Sequence, residues 1–140
     1  MDLEQLAKDG LLQKCGPARD LADKEFTEAG YDLEGARDAL QAKDNKWAIV
    51  KGYYSVFHSA KGALFLAGYR ETSHFALGEA LRCMADSGKL ESRYVSDFKA
   101  AMSARQAADY HYDYPSDKAE YVVGLAGEFV ARMRKLKKVL

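Results

Sequence analysis

At 140 residues the chain has room for one domain with a real core and too little for two. Its 21 basic and 21 acidic side chains balance, and 48% of its residues are hydrophobic, which excludes both disorder and a general attraction to polyanions. No apolar run reaches membrane length, no secretory leader is visible, and Cys15 and Cys83 lack CxxC spacing, so a reduced cytoplasm is the expected setting.

Two prolines, few β-branched residues and abundant Ala, Leu, Lys and Glu make a helical composition. Gly16-Pro17 divides a short leading helix, about 2–13, from a long one, about 18–43. Asp44-Asn45 offers the cap for a third helix, about 46–67, where Tyr53, Phe57, Ala60, Leu64 and Ala67 recur at helical steps. Gly68 through Ser73 reads as a turn, with Thr72 or Ser73 capping a helix near 74–86. Ser87-Gly88 stops that helix and another runs over about 91–110. Tyr114-Pro115-Ser116 breaks the chain again, and Ser116 caps a last helix to about 138, with Val122, Leu125, Phe129, Met133 and Leu136 in register. Turns this short join antiparallel neighbours. The expected fold is therefore all-α, an up-and-down four-helix bundle with an additional short N-terminal helix, as a single domain over 1–140. Gly52, Ser55, Ser59 and Gly62 give the third helix a close-approach face, for core packing or for a dimer.

Charge is unevenly placed. Residues 1–50 carry 7 basic and 11 acidic groups, which leaves 14 and 10 for the rest. Five cations crowd into Arg132–Lys138, either a solvated helix end or a contact for nucleic acid or an acidic partner. Glu71-Thr-Ser-His74 has the Glu-x-x-His spacing of di-iron bundles, but it stands alone where such sites need two. His58, His74 and His111 fall on three elements and define no zinc spacing. Tyr53 and Tyr54 lie on the apolar face and read as core and interface residues. No metal or cofactor is called for.

The stretch Arg105-Gln-Ala-Ala-Asp-Tyr-His111-Tyr-Asp-Tyr-Pro115 places a phosphate binder, a neutral-pH proton carrier and three aromatic rings at a helix end. Arg105 and Asp109 are four apart and can pair along the helix. On an unbroken helix Arg105 and His111 would point about 120° apart. They converge only if the helix loosens after Ala108 or if a second chain completes the site.

Tyr53-Tyr54-Ser-Val-Phe57-His58-Ser-Ala60-Lys61, then Ser73-His74, then Arg105-Gln-Ala-Ala-Asp109-Tyr110, resemble in order the HEPN family of small helical proteins. The resemblance covers about residues 18–138 and leaves the first helix, within 1–16, outside it. It implies a bundle that usually dimerises and an Arg followed after four to six residues by His, matched here by Arg105 and His111. In active members that pair serves a metal-independent RNase, with the two motifs of a dimer in one cleft. The resemblance also implies a toxin paired with a minimal nucleotidyltransferase antitoxin, which can adenylylate a tyrosine of the HEPN chain. Gln106 stands where active members often carry Asn, and Asp113, flanked by Tyr112 and Tyr114, stands where one variant carries Tyr. On this reading Arg105 clamps phosphate and His111 moves protons. Asp109 orients one of them, Tyr110 or Tyr112 stacks a base, and His74 supports the site. RNA or nucleotide is the expected ligand, and a homodimer the expected assembly.

Overall fold

The computed structural model describes residues 2–140. In chain order it contains α1 (Leu3–Lys8), β1 (Leu12–Lys14), α2 (Arg19–Gln41), α3 (Asn45–Ala67), β2 (Tyr69–Glu71), α4 (His74–Asp86), α5 (Ser92–Tyr110) and α6 (Ser116–Lys135). A single 3-10 turn over Leu136–Lys138 closes it. The four long helices α2, α3, α5 and α6 make the expected all-α bundle.

The local causes are legible. Ala22, Phe26, Ala29, Leu33 and Ala36 alternate steps of four and three, so one stripe of α2 is buried. Fourteen residues of α3 are buried, including Ile49, Tyr53, Val56 and Leu64. A helix apolar around so much of its girth must be central, and α3 packs against α2, α5 and α6. Fully buried Phe98 and Phe129 each contribute roughly 1.5–3 kcal/mol of hydrophobic stabilisation to that core. The Asp44 carboxylate accepts from the Trp47 amide at 3.4 Å to begin α3. The Ser73 hydroxyl accepts from the Ala76 amide at 3.0 Å to begin α4.

Four expectations need correction. The leading helix ends at Lys8, because Gly10, at φ 83°, turns the chain into β1. The stretch read as a turn after Gly68 contains β2, which pairs antiparallel with β1: Leu12 opposite Glu71, Gln13 opposite Arg70, Lys14 opposite Tyr69. Ser116 is already inside α6, whose cap position is Pro115 with no side-chain bond. The final helix gives way to the 3-10 turn after Lys135.

Gly68 makes the ribbon possible. Its φ of 94° ends α3, and a Cβ there would stand 3.3 Å from the Gly16 carbonyl carbon and the Pro17 nitrogen. Its carbonyl accepts from the amides of Cys15 and Gly16 at 2.9 and 3.1 Å.

The small-residue face of α3 is used inside the chain. Gly52 lies against Val122 of α6, Gly62 against Phe26 of α2, and both serines are wholly buried. Ser55 and Ser59 return their hydroxyl hydrogens to the Gly52 and Val56 carbonyls. The basic end is also engaged. Arg132 pairs with Glu91 at 2.7 Å, Arg134 donates to the Phe26 carbonyl at 3.0 Å, and Lys137 pairs with Asp23.

At one end of the bundle a second core of small residues gathers Ala36, Ala48, Ala104, Ala108 and Ala119 around Ile49 and Val122. Short side chains let the helices approach closely there, and they place the last turns of α5 beside α3.

Candidate functional site

Arg105 stands in the fourth turn of α5, between buried Ala104 and Ala108. Its guanidinium lies 5.2 Å from the Tyr53 ring centre and 5.7 Å from that of Tyr54, both on α3. Those are cation–π distances. One Nη1 hydrogen goes to Asp109 Oδ2 at 3.3 Å, and the Arg105 side chain keeps 14% of its accessible surface. Its Nε is buried without a hydrogen-bond partner among the described residues. Arg105 is thus confined by two rings and a carboxylate, with little freedom to swing away.

Tyr53 carries the cluster further. Its ring is wholly buried and its hydroxyl hydrogen-bonds to His74 Nδ1 at the start of α4. The His74 ring stacks on Phe57 with 4.4 Å between centres and a 19° interplanar angle. Burial pushes the Tyr53 hydroxyl far above the ordinary phenol range, against the opposing pull of Arg105. Burial lowers the His74 pKa below its ordinary 6.5 and the Arg105 charge adds to it, while Glu71 opposes them. Glu71, at the end of β2, pairs with Lys61 of α3 at 3.5 Å, and its second oxygen is buried without a partner among the described residues.

His111 is elsewhere. Helix α5 does not loosen after Ala108; it continues to Tyr110, and the His111 amide still reaches the Ala107 carbonyl at 3.0 Å. His111 is the exposed cap residue, so the two ends of the Arg-x5-His pattern are not joined within one chain. Tyr112 follows with φ 53°, a left-handed conformation that costs a side-chain-bearing residue about 1 kcal/mol. Tyr110 and Tyr112 are exposed, at 69% and 77%. The structure therefore brings Arg105, Asp109 and His74 together through Tyr53. It leaves His111, Tyr110 and Tyr112 as an open group at the end of the same helix.

His58 borders this cluster, its ring 5.3 Å from that of Phe57 between centres. Both its nitrogens turn to α2, with Nδ1 2.8 Å from Glu25 and Nε2 3.6 Å from Asp32. Among the described residues no three His, Cys, Asp or Glu side chains converge as metal ligands.

The sequence profile of the HEPN domain matches residues 22–136. The chain belongs to the HEPN family. It is 29% identical over 115 residues to the candidate toxin MJ0605 of Methanocaldococcus jannaschii, a match covering 80% of this chain and 86% of that one. Its fold superposes on the crystal structure of TT1696 from Thermus thermophilus with a TM-score of 0.69. At 18% identity, over 82% of this chain and 97% of the other, that likeness speaks for the fold alone. In this HEPN chain the sequence offered Tyr53 as a core residue, Lys61 in the resemblance and Glu71 in a Glu-x-x-His spacing, but joined none of them to Arg105. The one available signal was chemical: a buried tyrosine needs an acceptor for its hydroxyl. Spacing could not say that His74 supplies it.

Proposed function

We propose that this HEPN protein is an endoribonuclease acting as a homodimer, and that it is the toxin of a pair whose antitoxin is a minimal nucleotidyltransferase. The observation that carries the reading is Arg105, stiffened by Tyr53, Tyr54 and Asp109, on the helix whose end presents His111 to solvent. The likeness to MJ0605 supports the toxin role.

In this reading a second copy brings its His111 to the first copy's Arg105. The RNA 2′-oxygen attacks phosphorus while His111 takes its proton, and the P–O5′ bond breaks. The leaving 5′-oxygen receives a proton from the other chain's protonated His111, which leaves a cyclic 2′,3′-phosphate and a 5′-hydroxyl. Arg105 offers paired donors to the crowded phosphorane oxygens, and exposed Tyr110 or Tyr112 stacks a base.

A second reading is a HEPN module that binds nucleotide or the nucleotidyltransferase without cleaving. The Arg105–Asp109 ion pair favours it, because it holds the guanidinium in place as a binding group. His111, the proton carrier of the first reading, makes no contact with it within one chain.

The deciding assay is purified protein with labelled RNA in EDTA beside His111→Ala. The ribonuclease reading expects cleavage in EDTA and at least a hundredfold loss in the variant, the lower bound for a positioned acid–base group. Arg105→Lys should also be damaging, since an ammonium cannot reproduce the two-pronged grip. Equal cleavage by wild type and variant would identify a contaminating nuclease and put the binding module first.

A further inference from the structure

Tyr53 is wholly buried, and its hydroxyl meets His74 Nδ1. A buried hydroxyl whose hydrogen finds no acceptor costs about 1–3 kcal/mol. If Nδ1 carried the hydrogen, the phenol would accept it and strand its own. Arg105 beside it can only donate, and Tyr54 and Glu71, near enough to act on the phenol through their charge or dipole, make no hydrogen bond to it. The hydrogen therefore runs from Tyr53 to Nδ1, and the neutral ring bears its own hydrogen on Nε2.

Nothing within the described chain hydrogen-bonds to that Nε2. The ring plane is fixed by its stack on Phe57, and His74 is itself half-exposed. Arg105 leans on the same Tyr53 ring, and with Nε buried and one Nη1 hydrogen on Asp109 its remaining terminal hydrogens are the ones a ligand could meet. Two fixed donor groups thus flank one buried tyrosine. The carboxylates nearby are each paired, Glu71 with Lys61 and Asp109 with Arg105.

We propose that His74 is a second phosphate-binding residue of the Arg105 site, presenting Nε2–H to a phosphate oxygen, and that Tyr53 is the positioning residue that fixes this tautomer. The inference rests on the reading of the site as one for RNA or nucleotide phosphate. Because burial and Arg105 keep the ring neutral near pH 7, it donates without having to gain a proton first. A bound phosphate would bring negative charge beside it and raise its affinity for a proton.

The test uses two probes that cannot be cleaved by attack of a 2′-hydroxyl: inorganic phosphate, and a single-stranded deoxyribonucleotide. Nitrogen spectra of the wild-type imidazoles are expected to show His74 protonated on Nε2, with its titration moving upward when either probe is added. His74→Phe, which keeps the stack, should bind the oligonucleotide about ten- to a hundredfold more weakly, the loss of one hydrogen bond to a charged group. His74→Gln, which keeps a donor near the Nε2 position, should recover most of that. Tyr53→Phe should release the tautomer and weaken binding severalfold while circular dichroism stays unchanged. A response to phosphate alone would assign the site to free phosphate, and a response to both to the nucleic-acid backbone; both uphold the His74 role. Hydrogen on Nδ1 in the wild type, a titration indifferent to both probes, or His74→Phe binding like wild type would overturn it. RNA cleavage separates this from the broader reading. Cleavage by His74→Phe with unchanged KM sinks the His74 role and leaves the ribonuclease standing. Phosphate binding through His74 without cleavage by wild type does the reverse.

Discussion

His58 is the residue whose surroundings make the clearest demand on pH. Its hydrogen bond to Glu25 raises its pKa above 6.5, against burial, and the charges of Glu25, Asp32 and Glu28 on α2 add to the rise. A group whose folded pKa is raised contributes stability fully present below its unfolded value. That contribution fades as pH climbs through the folded value. His58→Gln should therefore lower stability by about 1 kcal/mol at a pH about one unit below 6.5, a fall in Tm of roughly 3 °C, and by much less two units above it. Thermal melts at the two pH values check this, and an equal loss at both would contradict it. The three histidines also show how far sequence could see. Each was visible as a proton carrier, but its duty depends on partners far along the chain, Glu25 for His58 at 33 positions and Tyr53 for His74 at 21. No periodicity encodes such partners. Arg105 and Asp109 were readable because their pairing follows helix geometry alone.

Among elements, α3 and α6 meet where Gly52 faces Val122, and a Cβ at 52 would fall 2.9 Å from the valine Cγ1. Valine has little rotameric freedom to retreat. Gly52→Ala should cost about 1–2 kcal/mol in spite of alanine's better helix propensity. Gly124 on α6 has nothing within 4 Å of its Cβ position, so Gly124→Ala should stabilise by up to about 1 kcal/mol. Denaturant midpoints of the two variants should move in opposite directions. The helices themselves were legible because caps, breakers and apolar steps are local signals. Tyr53, Phe57, Ala60 and Leu64 announce the inner face of α3 without reference to any other element. The β1–β2 ribbon was not legible. Leu12-Gln-Lys14 and Tyr69-Arg-Glu71 are three residues each, too short for an alternating pattern, and what pairs them is the close approach at Gly68.

For the whole molecule, the proposed reaction needs two chains, since one chain does not join Arg105 to His111. The surface near that end of α5 suits an interface, with Tyr110, Tyr112 and, on α6, Tyr121 all exposed. Sedimentation is expected to show a dimer at tens of micromolar protein, burying at least ~1,000 Å². Tyr110→Arg combined with Tyr112→Arg should shift it toward monomer, and a wild-type monomer at that concentration would count against the assembly. EDTA should leave both the dimer and RNA cleavage as they are.

The ribbon also sets an order of events. Pairing Leu12 with Glu71 closes a loop of about 60 residues, whereas α2 and α3 zip together across the short connection after Gln41. Closing the longer loop costs more chain entropy for only three residue pairs, so it is expected to follow the helical hairpin. Pulse-labelled hydrogen exchange should find the Cys15 and Gly16 amides protected later than those inside α3. Glu71 ends that ribbon, and His74 begins the helix just beyond it. A chain caught midway through folding would then hold a nearly complete bundle while the proposed phosphate site was unfinished, so on that proposal the ability to bind ripens last.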